Sequence, residues 1–317
     1  MKKVFIIGGG QLGSRHLQGA SQVSFATDLH VVDPSEESLK VAKERFEQTH
    51  NGKHTLHLHT SLDDLPNQAD LVIISTNSKP RLQIMENLLD RCSVKSWVLE
   101  KVLFTQLDEY KRAEQLIQEH QIPTWVNCPR RSYPDYLSLK DRIGTPSSLR
   151  MNLEMPGFLI ASNGLHFADL FSYFLDDPDT ITFDASGLDK QFVEAKRSGY
   201  VEVNGELKCS SGNNHLTINN TAAGSVSQSL QITTDQHRIT VQESHQPSLV
   251  IAGENTQWKV EVSPFEMPFQ SALTTYLVES IIQNNTCDLP DYKVAQRVHV
   301  AFLEELEKHF QTQLNIT

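Results

Sequence analysis

Apolar and polar positions follow two different grammars along this chain. In the first, short unbroken apolar runs are separated by stretches of helical spacing: Val4-Phe5-Ile6-Ile7, a run ending at Asp33, Leu71-Val72-Ile73-Ile74, Trp97-Val98-Leu99 and Ile122 to Val126. Runs without polar alternation are what strands covered on both faces look like, so they predict a parallel sheet under helices. The helices are expected after Gly13, over Ser35 to Gln48 with Ser35 as cap, over Pro80 to Asp90 and over Leu107 to Glu119. One further strand, His54 to His59, alternates instead, which puts His57 and His59 on one face.

The second grammar begins near Leu149. Strands follow strands at Arg150 to Glu154, Thr180 to Ser186, Gly199 to Cys209, His215 to Asn220, Ser227 to Thr233, Arg238 to Glu243, Ser248 to Ala252 and Gln257 to Val262. Consecutive short strands predict an open, mostly antiparallel sheet. Helices are expected at Asp135 to Ile143, around Asn163 to Phe171, at Phe269 to Gln283 and at Tyr292 to Gln313. The predicted fold class is therefore α/β plus α+β: a doubly wound parallel domain over 1–121 and an α+β domain over 122–317. A length of 317 residues suits two domains.

Composition narrows the function. A formal net charge of −11 with no basic block argues against a nucleic-acid partner. No apolar run approaches the roughly 18 residues of a membrane span. Four scattered cysteines, Cys92, Cys128, Cys209 and Cys287, form no CxxC. They suggest neither a zinc site nor a disulfide framework, so the expectation is a reducing cytoplasm. No metal ligand set is expected, and His57 and His59 read as the polar face of a strand.

The candidate chemistry starts at the first turn. Gly8-Gly9-Gly10-Gln11-Leu12-Gly13 lies between a strand and a helix, and Asp33 ends the next strand, twenty residues after Gly13. That is the order of a dinucleotide site. Gly8 permits the tight turn, Gly10 admits a pyrophosphate, and Gly13 lets the helix pack on the strand while its N-terminus faces the phosphates. Asp33 should accept from the adenine ribose and repel a 2′-phosphate, favouring NAD over NADP. Ser75-Thr76-Asn77 and Glu100-Lys101 end two more parallel strands and should border the same cofactor, with Lys101 the first candidate for chemistry. His166 and Asp169 are three apart on a helix, so the carboxylate is placed to orient the imidazole as a general acid/base. Arg130, Arg131 and Tyr133 either hold an anionic substrate group or form interdomain ion pairs.

Taken together, Gly8-x-Gly10-x-x-Gly13 with Arg15-His16, Asp70-Leu-Val-Ile-Ile, Glu100-Lys101, Asn127 to Pro134 with Arg131, His166-x-x-Asp169 and Leu289-Pro290-x-Tyr292 resemble the Gfo/Idh/MocA family of NAD(P)-dependent oxidoreductases. The resemblance implies a Rossmann domain and a second domain whose open sheet serves a homo-oligomer, dimer or tetramer. It also implies hydride transfer at a sugar or cyclitol carbon, with Lys101 and His166 at the active site. Two departures stand out: Ser162 occupies a position where the family often has Asp, and Val102 replaces the proline after the lysine. Asn163 is then a candidate for binding a substrate hydroxyl. The loss at Ser162 also admits a regulatory or scaffolding protein that keeps the fold without turnover.

Overall fold

The computed structural model describes residues 1–157, 159–220 and 227–317. In chain order its main elements are β1 (Lys2–Ile7), α1 (Gln11–Ala20), β2 (Thr27–Val32), α2 (Glu36–Thr49), β3 (Thr55–His59), β4 (Leu71–Ile74), α3 (Arg81–Leu89), β5 (Trp97–Glu100), α4 (Leu107–His120) and β6 (Thr124–Asn127). There follow α5 (Pro134–Ile143), β7 (Leu149–Glu154), α6 (Ile160–Phe174), β8 (Thr182–Leu188), β9 (Gly205–Ser211), β10 (Asn214–Asn220), β11 (Ser229–Thr234), β12 (His237–Gln242), β13 (Ser248–Gly253), β14 (Glu261–Pro264), α7 (Gln270–Asn284) and α8 (Tyr292–Phe310).

The chain divides into two compact units, one of Met1–Asn127 with Pro268–Lys293 and one of Cys128–Met267 with Val294–Thr317. The first holds a six-stranded sheet in the order β3-β2-β1-β4-β5-β6, every pairing parallel. Its apolar runs are buried throughout β1, β4, β5 and β6, as strands covered on both faces require. Leu277, Val278 and Ile281 of α7 join Val4, Ile6, Leu17, Leu71 and Ile73 in one core. α7 can approach α1 closely because Gly19 has no side chain: a Cβ there would meet the Ser271 carbonyl oxygen at 2.2 Å. The sequence division at 121/122 separates β6 from the sheet to which it bonds, and assigns α7 to the second domain, whereas its apolar face is buried in the first core.

The second unit holds an eight-stranded sheet, β8-β9-β10-β7-β11-β12-β13-β14, antiparallel except between β10 and β7. Alternation decides which side is covered. Leu149, Met151 and Leu153 are buried, while Arg150, Asn152 and Glu154 between them are exposed. Strand pairing differs from expectation at 257–262. Gln257 and Trp258 have φ of 53° and 64°, a left-handed conformation that ends any extended run, and the strand starts only at Glu261.

Candidate functional site

The glycine turn and β2 build the first part of the site. Gly8 has φ +99°, and Ser75 Oγ donates to its carbonyl at 2.8 Å, tying the turn to the end of β4. A Cβ at Gly13 would lie 1.7 Å from the Gly8 carbonyl oxygen, so α1 can start here only with glycine. A Cβ at Gly10 would meet nothing within 4 Å. Gly10 is the N-cap of α1 without any side-chain cap, so it leaves an open cradle at a helix N-terminus. Gln11 and Leu12 form the first turn, and Arg45 of α2 holds Gln11, donating to its carbonyl at 2.9 Å and to its side-chain oxygen at 2.6 Å.

Asp33 does more than end a strand. Its Oδ2 accepts from the Gly9 N–H at 2.8 Å and its Oδ1 from the Ser35 N–H at 2.8 Å, so one carboxylate braces both the glycine turn and the entry to α2. Beside it opens a cleft of about 720 Å³, lined by Gly8, Asp33, Thr76, Asp63, Asn87 and Arg91 among others. Thr76 Oγ1 is buried there and has no hydrogen-bond partner among the described residues. The open position at Gly10 and, in the cleft lined by Gly8 and Asp33, an orphaned hydroxyl fit a dinucleotide's phosphates and adenosine. Asn77 is exposed just beyond.

Sequence reasoning missed two contributors to this cleft. Arg91 pairs with Asp63 at its lining, and neither belongs to a recognisable motif. Arg81, fully buried, donates to the carbonyls of Thr76, Val102 and Leu103, and so ties together the loops after β4 and β5. Lys101 directly follows β5 and is half-buried, and the Lys101–Val102 peptide is cis. Glu100 is turned inward: its Oε1 bonds His16 Nε2 at 2.8 Å and accepts from Asn127 Nδ2 at 2.6 Å.

In the second unit, α6 carries half-buried His166 one turn beyond Ser162. Asp169, three residues on, is engaged by a guanidinium. Both Asp169 oxygens accept from Arg131, at 2.6 and 2.9 Å, and each terminal nitrogen of Arg131 also donates to Asp177 at 3.0 Å. Although burial works against its charge, Asp169 and then Asp177 raise the Arg131 guanidinium above its ordinary value. Arg130 makes a bidentate pair with buried Glu243, which also accepts from Tyr136 at 2.8 Å and Gln228 at 2.9 Å. These pairs lie within one unit, and they engage four of the five N–H hydrogens of Arg131. Tyr133 is buried and stacks on Tyr136. The Asn163 amide donates to the Leu159 carbonyl at 3.1 Å and Ser162 Oγ at 3.0 Å, while the Ser162 N–H donates to Glu202 at 3.2 Å.

His57 and His59 share a face as expected and stack with His30, ring centroids 4.5 and 5.3 Å away. Stacked rings do not converge on a point, and among the described residues no group of three or more His, Cys, Asp or Glu is arranged to hold a metal ion. Nor is any described helix long and apolar enough to cross a membrane.

Residues 2–128 match the family model for the Gfo/Idh/MocA oxidoreductases, described as an oxidoreductase family with an NAD-binding Rossmann fold. By that match the chain is an oxidoreductase with an NAD-binding domain. No curated protein matches it. Among solved structures, the UDP-N-acetylglucosamine 3-dehydrogenase GnnA from Acidithiobacillus ferrooxidans shares 16% identity over 96% of both chains, with a TM-score of 0.70. An Agrobacterium radiobacter oxidoreductase, in complex with NAD+, L-tartaric acid and magnesium, shares 15% over 96% of both, with a TM-score of 0.71. A super-repressor mutant of Gal80p from Saccharomyces cerevisiae shares 15% over 99% of this chain and 97% of its own, also at 0.71. At these identities the likeness establishes a shared fold and leaves the chemistry to the residues.

Proposed function

We propose that this oxidoreductase transfers a hydride between NAD and a secondary hydroxyl or keto carbon of a sugar, cyclitol or sugar nucleotide. The observation that carries the reading is the cleft lined by Gly8, the braced Asp33 carboxylate and the orphaned Thr76 hydroxyl, close in sequence to the open Gly10 position at the N-terminus of α1, in a chain that has Lys101 at the end of a neighbouring strand. The nicotinamide, when bound, accepts or supplies the hydride. Lys101 takes the hydroxyl proton on oxidation and returns it on reduction. His166, on α6 of the second unit, is the second candidate for acid/base chemistry. With both amide hydrogens of Asn163 engaged inside α6, its Oδ1 is the atom left to accept from a second substrate hydroxyl. The sugar class is supported by the fold shared with GnnA, a dehydrogenase of UDP-N-acetylglucosamine by name.

Asp33, whose two side-chain oxygens each accept a backbone N–H, favours a ribose hydroxyl over a phosphate, so NAD is expected to bind about tenfold or more tighter than NADP. Titration of both nucleotides into wild type and Asp33→Ala tests this; a strong NAD preference retained by the variant would count against Asp33. For the chemistry, Lys101→Met should keep NADH binding and lose about 100-fold or more in turnover on a sugar and sugar-nucleotide panel. A wild type that binds NADH yet turns over no member of the panel would support instead the regulatory reading admitted by Ser162. The polar outer face of the second sheet, with Arg150, Asn152 and Glu154, is the face we assign to pairing of copies into a dimer or tetramer, which sedimentation velocity reads.

A further inference from the structure

Behind the glycine turn stands a charge that no described carboxylate balances. Arg45 of α2 reaches across to the first turn of α1, where its Nη2 donates to Gln11 Oε1 at 2.6 Å and its Nη1 to the Gln11 carbonyl at 2.9 Å and to Ser14 Oγ. Ser14 Oγ lies 2.7 Å from the carbonyl oxygen of Gly10, the open glycine of the turn. Among the described residues no carboxylate pairs with Arg45: Val41, Ala42, Gln48 and Thr49, its neighbours at helical spacing on α2, are all uncharged. Arg15 is a second cation in its surroundings, and burial and then that charge lower the Arg45 guanidinium from its ordinary value. The helix end is a third unfavourable influence, since it carries positive partial charge and has no acid in its first turn.

The direction of each hydrogen bond is settled by chemistry. A guanidinium has donors only, so the end of the Gln11 amide beside it is the oxygen, and the NH2 group is the end turned away. Gln11 is exposed, and among the described residues no acceptor takes those amide hydrogens. For the same reason Ser14 Oγ accepts from Arg45, and its own hydrogen goes to a carbonyl, of Gly10 at 2.7 Å or of Gln11 at 3.2 Å. An arginine held at a positive helix end without an acid is unfavourable in the empty protein and becomes favourable when an anion arrives.

We propose that Arg45 is a positioning residue for the cofactor's pyrophosphate: it turns the Gln11 amide so that the NH2 group is the donor offered beside Gly10, and it stations a positive charge behind the first turn of α1. The chain thereby supplies, from a helix outside the glycine motif, the charge that the motif itself lacks. This deepens the NAD reading above and rests on it.

Binding tests this without turnover. NAD, ADP and adenosine are titrated calorimetrically into wild type, Arg45→Met, Arg45→Lys and Gln11→Glu at low and high salt, with urea unfolding of each protein. Arg45→Met is expected to bind NAD and ADP about tenfold more weakly, with a flatter dependence on salt and with adenosine affinity unchanged. Arg45→Lys should recover most of the loss, because it keeps the charge. Gln11→Glu keeps an oxygen for Arg45 but replaces the donor by a carboxylate, so it should unfold at no lower urea concentration than wild type while losing about tenfold or more in affinity for NAD. Wild-type NAD binding by folded Arg45→Met would overturn the proposal. Equal losses in the Met and Lys variants with an unchanged salt dependence, or a loss that extends equally to adenosine, would reduce Arg45 to a brace for the helix and overturn it as well. A wild type that binds neither NAD nor ADP would instead bring down the nucleotide reading, and this proposal with it, so the wild-type titration separates the two failures.

Discussion

A β-carbon at Gly13 would collide with the Gly8 carbonyl, whereas one at Gly10 would enter open space, and the two glycines should therefore fail differently. Gly10→Ala is expected to unfold within about 1 kcal/mol of wild type, the usual N-cap difference, while losing NAD affinity by about tenfold or more, because its methyl occupies the cradle. Gly13→Ala should lower both. Urea unfolding with nucleotide titration separates the cases, and equal loss of stability in the two would deny Gly10 its role. The glycines were legible because turn chemistry is local. Asp169 was not: its partner Arg131 lies 38 residues away, and nothing in His-x-x-Asp spacing discloses a guanidinium arriving from elsewhere. Arg131→Met should cost about 3–5 kcal/mol by leaving Asp169 buried and unpaired. A variant that instead kept its stability and only raised the substrate KM would return Arg131 to the binding site.

Among the elements, β2 and β3 carry a prediction about acid. His30 is buried against β3, and burial first, then the charges of His57 and His59, lower its pKa from 6.5 to about 4. Between those values the unfolded chain binds a proton that the folded chain refuses, so stability falls as pH drops from about 6.5 towards 4, by up to about 2–3 kcal/mol. Urea unfolding of wild type and His30→Leu at about pH 7 and about pH 4.5 should show the variant losing less. Equal losses would mean the imidazole is not the group resisting protonation. Alternation and apolar runs disclosed these strands and the hydrophobic class of each sheet. They did not disclose order: β7 pairs in parallel with β10, a partner that no local pattern names. Gln257 and Trp258 escaped as well, since neither residue type advertises a left-handed backbone.

For the whole molecule, the division of the chain matters more than its two fold classes. Unit one needs α7, which follows every strand of the second sheet. A fragment of residues 1–127 leaves the core places of Leu277, Val278 and Ile281 empty, and is expected to aggregate or to lack a cooperative unfolding transition. The same fragment joined through a flexible linker to residues 268–293 should recover one; cooperative unfolding of the short fragment would show that α7 is dispensable. The same threading bears on birth as well as on stability. At about 5–20 residues per second, a ribosome needs roughly ten to thirty seconds to travel from residue 127 to residue 293. Throughout that interval the nascent first domain has its parallel strands but not its closing helix. This dinucleotide-binding domain, first in sequence, can complete its core only near the end of synthesis, with its open apolar face available to chaperones for most of the chain's elongation.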